Sequence, residues 1–186
     1  IPYSDAAGTA FATGIKVNNG TISVELPGYG DELETLLEYF KARGKRTGLV
    51  TTCYLTDATP AAFGAHTEMR SLRNDIAEDY RLRSRPNVLL GGGGSGYGMT
   101  VVDFADAGYT VVTNAAELSA VDTNSVSMLC GQFGEGLMPF EPNLGNLPHL
   151  SEMTATALDI LDNEPNGFFV MIEGGLIDWG GHHNNR

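Results

Sequence analysis

The sequence predicts an α/β fold: a mostly parallel sheet with helices on both faces, three layers in all. Two observations predict it. Apolar β-rich runs alternate with runs of helical periodicity, the order that parallel strands and crossover helices require. Oxygen-bearing residues and glycines follow the ends of the apolar runs, where ligands sit in such sheets.

Each element has its own reason. Ala6 to Ile15 is rich in small residues and reads as a close-packed helix. Asp31 to Arg43 places Leu33, Leu36, Leu37 and Phe40 at helical spacing. Acids open that segment, Lys41 and Arg43 close it and Gly44 stops it, so a helix is expected. Thr47 to Leu55 is a β-rich run. Ala58 opens a helix with Pro60 in its first turn, and Arg70 is expected at its far end. Asn87 to Leu90 reads as a short buried strand, and Gly91 to Gly94 as a tight turn after it. Gly108 to Thr113 and Ser125 to Phe133 read as further strands. Leu150 to Leu161 carries Leu150, Met153, Ala157, Leu158 and Leu161 on one helical face. Gly167 to Ile172 is an apolar strand, followed by Glu173-Gly174-Gly175 and a helix from about Ile177.

Bulk composition narrows the functions. The chain has 186 residues, a 42% apolar content and a net charge of −12. That much apolar material builds a core, so disorder is not expected. With 23 acidic against 11 basic residues, a phosphate-backbone binder is excluded, so no nucleic-acid partner is expected. No apolar run approaches the roughly 18 residues of a membrane span. Cys53 and Cys130 are too few for a disulfide framework or a zinc cluster. They are either one disulfide or two buried thiols. The 24 glycines are not periodic and cluster beside Thr, Asp, Glu and His, where backbone approaches something closely. The chain begins at Ile1 without Met and stops at Arg186 in a polar run, so a piece of something longer is expected.

Three segments carry residues with chemistry. Asp57 and Thr59 are oxygen donors at a strand-to-helix turn. They suit a hard cation such as Mg²⁺, or one of them caps the helix. Arg70 has the planar fork that holds an anion, or it is a solvated surface residue. Arg73, Arg81, Arg83 and Arg85 read as solvated. Glu173 stands where a strand end opens. Asp178 and His182 are four apart, so on a helix they share a face and suit a divalent metal such as Zn²⁺. The alternative is a polar, glycine-rich loop. Ser4 precedes an Ala/Gly-rich helix, at the positive end of its dipole. It suits a hydroxyl nucleophile, or Ser4 or Asp5 caps the helix. Gly91 to Gly94 lacks the Lys of a phosphate-binding loop.

Taken together, SDAAGTAFATGIKVNNGTISV, TDATPAAFGAHTEMR, NVLLGGG and PHLSEMTATALDILDNEPNGFFVMIEGGLIDWGGHHNN resemble the alkaline phosphatase family, in order and in spacing. The resemblance implies a metal-dependent phosphomonoesterase with a phosphoserine intermediate, two Zn²⁺ and one Mg²⁺. It places the nucleophile at Ser4, magnesium-site residues at Asp57, Thr59 and Glu173, and ligands of one zinc at Asp178 and His182. It places the phosphate-holding arginine at Arg70. His66 lies in the same motif and is not carried over as a ligand. Trp179, beside the ligand Asp178, shapes the pocket. The resemblance also implies a small phosphate-ester substrate, a homodimer and a periplasmic or secreted location.

The sequence departs from the family in three places. The family reads Asp-Ser-Ala at the nucleophile, whereas this chain reads Tyr3-Ser4-Asp5. A gapped match would put Asp5 on the ligand and Ala6 on the nucleophile. Leu176 replaces a frequent arginine. The family's early Asp-Gly motif, later Asp-His pair and final ligand His are missing. The expectation is therefore a partial catalytic domain over residues 1–186, lacking N- and C-terminal parts. Two alternatives remain: a phosphodiesterase or sulfatase relative, and a non-catalytic fragment or degenerate homologue.

Overall fold

The structure is a computed structural model that describes residues 1–184; Asn185, within the last quoted motif, and Arg186 lie outside the described residues. Its strands are β1 (Arg46–Tyr54), β2 (Val88–Gly93), β3 (Thr110–Val112), β4 (Leu129–Glu135) and β5 (Phe168–Glu173). They form one five-stranded sheet in the order β3-β4-β2-β1-β5, and each neighbouring pair is parallel.

Side-chain alternation divides the molecule into layers. Leu49 is level with Leu89 and Met171, and Leu89 with Cys130, so one row crosses four strands. That row enters a core with Leu37, Phe63, Ile76, Tyr80 and Phe104. The adjacent residues Val50, Val88, Leu90 and Leu129 point the other way, into a core with Leu118, Met153, Ala157 and Ile160. A strand turns successive side chains to opposite faces, so two cores form on one sheet. Each fully buried Leu or Ile contributes about 1.5–3 kcal/mol.

The helices on the first face are α1 (Ser4–Thr13), α2 (Leu36–Lys41), α3 (Ala58–Gly64), α4 (Arg73–Leu82) and α5 (Val101–Asp106). Those on the second are α6 (Ala115–Ser119) and α7 (Leu150–Leu161). The last, α8 (Leu176–His182), follows β5. The small residues of α1 let it pack closely on α3: a Cβ on Gly8 would stand 3.0 Å from Ala62 Cβ. Gly14 ends α1 at φ 77°, the left-handed geometry glycine adopts freely. No helix among the described residues is long and apolar enough to cross a membrane.

Several elements differ from the expectations. The expected helix over 31–43 begins only at Leu36. Thr35 and Glu38 close a reciprocal capping box, while Glu32 is bridged to Val24 in an extended segment. The helix opened by Ala58 ends at Gly64, because Ala65 is extended and Thr67 bridges to Ile22. Arg70 therefore lies in the connection to α4, not on α3. Gly91 to Gly93 are strand, not turn. A Cβ on Gly92 would fall 1.8 Å from the Gly136 carbonyl oxygen, so these glycines serve backbone packing. The strand expected from Ser125 starts at Leu129, after a turn in which Asp122 accepts from Ser125 and Val126. Helices α4, α5 and α6 fall in stretches left unassigned by the sequence. Cys53 and Cys130 are both buried and free, which excludes the disulfide between them.

Candidate functional site

The site is built where β1 and β5 end side by side, Thr51 level with Glu173. Asp57 follows β1 and is the N-cap of α3, its Oδ1 accepting from Ala58 N at 2.8 Å. A helix start with its orphan N–H groups favours a carboxylate there. The cap reading is thus correct for Asp57, and the same oxygen also accepts from Arg70 Nη2 at 2.7 Å. Thr59 is half-buried in the first turn of the same helix.

Arg70 is gripped from both sides. Its Nη1 donates to Asp5 Oδ2 at 3.0 Å, opposite the contact with Asp57. The Asp5 side chain is 0% exposed, that of Arg70 35%. A buried carboxylate needs partners. Asp5 Oδ1 accepts from Ala6 N and Gly20 N, both at 2.8 Å. Burial works against the Arg70 charge, but Asp57 and Asp5 outweigh it and raise its pKa. The sequence offers Asp5 as a helix cap or, in a gapped register, as the ligand. Its contact with Arg70 is what sequence reasoning misses, and the signal for it is an acid inside the glycine- and alanine-rich motif.

Ser4 is the first residue of α1, exposed and adjacent to Asp5. Tyr3, not Ser4, takes the N-cap position and makes no side-chain cap bond. Glu173 ends β5, and its Oε2 accepts from Thr51 Oγ1 at 2.6 Å. Between Asp57 and Glu173 stands the Cys53 thiol, pushed well up by burial and by those two carboxylates. A thiol so placed is inert as a nucleophile. Gly175 makes room here, since its Cβ would lie 2.4 Å from Cys53 Sγ and 3.1 Å from Glu173 Oε2.

Asp178 and His182 share a face of α8, as their spacing predicts, with Nε2 3.5 Å from Oδ2. Both side chains are exposed. Trp179 stands between them in sequence and meets the His183 ring edge-on at 5.8 Å. Among the described residues, no three His, Cys, Asp or Glu side chains converge to hold a metal ion. The chemistry of the donors still sorts cleanly. Asp57, Thr59 and Glu173 offer only oxygen, as a hard cation requires, and Asp178 with His182 offers oxygen and nitrogen.

The other arginines are not simply solvated. Arg73 lies over the rings of Tyr54 at 5.0 Å and Tyr97 at 4.8 Å, beyond the ends of β1 and β2. Arg83 pairs with Glu32 and Asp79. Arg85 donates to the carbonyls of Arg81 and Ala107.

Comparison with known proteins accords with this geometry. A family model described as alkaline phosphatase matches residues 1–186. Alkaline phosphatase 3 of Bacillus subtilis (strain 168) is 39% identical over 192 residues, covering 98% of this chain and 40% of that protein. The crystal structure of a cold-active alkaline phosphatase from a psychrophilic Shewanella superposes with a TM-score of 0.89 at 36% identity, covering 99% of this chain and 45% of that one. The Thermus thermophilus alkaline phosphatase gives 0.88 at 33% identity, covering 100% and 40%. The chain thus spans less than half the length of each of these relatives. The chain belongs to the alkaline phosphatase family.

Proposed function

We propose that this chain is part of a phosphate-monoester hydrolase, the part that grips the phosphoryl group and donates ligands to a two-zinc, one-magnesium site. On this reading residues 1–186 are a partial catalytic domain, in keeping with the 40% of Alkaline phosphatase 3 that they cover. The periplasmic or secreted location and the homodimer are proposed with it, on the family resemblance. The observation that carries the reading is Arg70, held between Asp5 and Asp57 beyond the carboxyl end of β1.

The chain's own residues divide the work. A guanidinium has five N–H donors, and two are committed to Asp5 and Asp57. The rest of the fork would neutralise equatorial phosphoryl oxygens as charge develops. Ser4, at the positive end of α1, would attack phosphorus in line and expel the alcohol as leaving group. Water would then attack the phosphoserine, freeing inorganic phosphate and restoring the Ser4 hydroxyl. Asp57, Thr59 and Glu173 would hold Mg²⁺, and Asp178 with His182 would hold one Zn²⁺. When bound, zinc would supply Lewis acidity for the displacement, and Mg²⁺ would support the water network and charge balance.

The test uses the longest native polypeptide that carries this sequence. It is expected to hydrolyse monoesters in preference to diesters and sulfates, and a strong diester or sulfate preference would sink the reading. Arg70→Ala is expected to lower kcat/KM by about 10²–10³, the range for loss of one preorganised donor to developing charge. Trapping labelled phosphoenzyme and mapping the peptide locates the nucleophile; label at Ser4 supports the ungapped register. The Tyr3-Ser4-Asp5 order, which departs from the family's Asp-Ser-Ala, favours one second reading, a non-catalytic fragment or degenerate homologue. A native mass near that of 186 residues, with no zinc by elemental analysis, would support it.

A further inference from the structure

His66 has no part in the mechanism above, yet it is among the most constrained side chains near the site. Its ring is 4% exposed. Nδ1 lies 2.9 Å from the Ser23 carbonyl oxygen and Nε2 2.9 Å from Glu38 Oε1. A carbonyl oxygen and an ionised carboxylate can only accept. Both ring nitrogens must therefore donate, and a ring with two N–H groups is an imidazolium. A neutral tautomer would turn a lone pair toward one of the two acceptors.

The surroundings suit a cation. From α2 comes Glu38, and from the segment before it Glu32. From α4, Asp79 accepts the His66 backbone N–H at 2.8 Å, and Arg83 pairs with both Asp79 and Glu32. Burial alone would lower the His66 pKa, but the bonds to Glu38 and Ser23 and the charges of Glu38 and Glu32 outweigh it and raise it.

The ring sits at the head of the segment that ends in Arg70. Ile22 and Thr67 exchange backbone bonds at 2.9 Å in both directions, and Arg70 N donates to the Gly20 carbonyl at 2.7 Å. Gly20 N in turn donates to Asp5, which grips the Arg70 side chain. So residues 66–70 are laced to residues 20–23, and His66 closes the far end of the lacing through Ser23. Ser23 is itself held at φ 44°, a left-handed geometry unusual outside glycine. Its hydroxyl donates to the Ala62 carbonyl, and its N–H to Thr9 Oγ1. Backbone strain of this kind persists only where neighbours over-determine it.

We propose that His66, as an imidazolium, is a positioning residue for Arg70: it fixes the 66–70 segment and so the aim of the phosphate-binding fork. The inference rests on the phosphate-binding role given to Arg70 above. Its pH dependence follows from the sign of the shift. A histidine pKa raised in the folded state gives its full effect below about pH 6.5, and the effect is lost as pH rises through the raised value. Grip on phosphate is then strongest below about pH 6.5 and relaxes as pH rises through the raised value, where product would leave more readily.

The test is calorimetric titration of inorganic phosphate into the longest native polypeptide that carries this sequence, wild type against His66→Gln and Arg70→Ala, at about pH 6 and about pH 9, on either side of the ordinary imidazole range. Glutamine keeps a donor but does not titrate. The protonation of phosphate itself acts on both proteins alike and cancels in the affinity ratio. The wild type is expected to bind roughly tenfold more tightly than His66→Gln at the lower pH, about 1.4 kcal/mol, and by a smaller ratio at the higher. A ratio that does not change with pH, with binding abolished in Arg70→Ala, overturns the role of His66 alone. Unchanged binding in Arg70→Ala, or none in the wild type, overturns the phosphate-site reading instead. A second measurement needs no variant: the ring ¹⁵N shifts of His66 in the wild type are expected to report a doubly protonated ring at about pH 6.5 and titration above it. A ring already neutral there overturns the proposal.

Discussion

A single missing methyl group sets the spacing of the site. Gly175 has φ −62°, which any residue adopts, so backbone freedom is not why it is glycine. Its reason is the 2.4 Å between a hypothetical Cβ and Cys53 Sγ. Gly175→Ala is expected to destabilise the fold by about 1–3 kcal/mol, the usual range for overpacking, read as a lower urea midpoint. Cys53→Ala in the same chain removes the obstructing sulfur and is expected to restore much of the loss. A double-mutant cycle measures that coupling directly. Strict additivity would show that the methyl group meets something other than Cys53.

At the scale of elements, α2 is short but anchored twice by one carboxylate. Glu38 Oε2 accepts from Thr35 N at 3.0 Å to close the capping box, and its Oε1 takes His66. Burial opposes the Glu38 charge, but bonds from His66 and from the Thr35 backbone outweigh it and hold its pKa below the ordinary value. A lowered carboxyl pKa adds stability above the unfolded value of about 4.3, and that stability is lost as pH falls through the folded value. Glu38→Gln still fills a capping box but does not titrate there. Urea midpoints followed from pH 6 down through the carboxylate range are expected to fall more steeply for the wild type than for Glu38→Gln. Parallel curves would remove Glu38 from the acid limb. The same element explains what was and was not legible. The strands, α7, and the acids after β1 and β5 leave local patterns, and the four-residue spacing of Asp178 and His182 is helical by itself. The grip on Arg70 leaves none. Its partners lie 65 residues away at Asp5 and 13 away at Asp57, and an antiparallel bridge of one residue pair, Ile22 to Thr67, turns the chain between them. A bridge that short has no periodicity, so the local pattern favours a helix running on from Ala58 to Arg70. The acid-rich stretch from Asp31 likewise imitates a helix start, and the Thr35–Glu38 box places the true one.

Across the whole molecule, one sheet divides two cores, and the division has an energetic consequence. Ile76 on α4 and Ile160 on α7 are both 0% exposed and belong to different cores. Ile→Val at either removes one methylene and is expected to lower stability by about 0.5–1.5 kcal/mol. The intervening sheet is itself close-packed, so neither cavity can be filled by side chains from the far face. The two losses are therefore expected to add within about 0.5 kcal/mol in the double variant. Denaturant unfolding of the wild type, both single variants and the double variant checks this. A loss well below the sum would mean that the sheet shifts to relieve one core at the expense of the other. In that case β1, shared by both cores, would carry packing changes from the α7 face to the strand end where Asp57 and Arg70 meet.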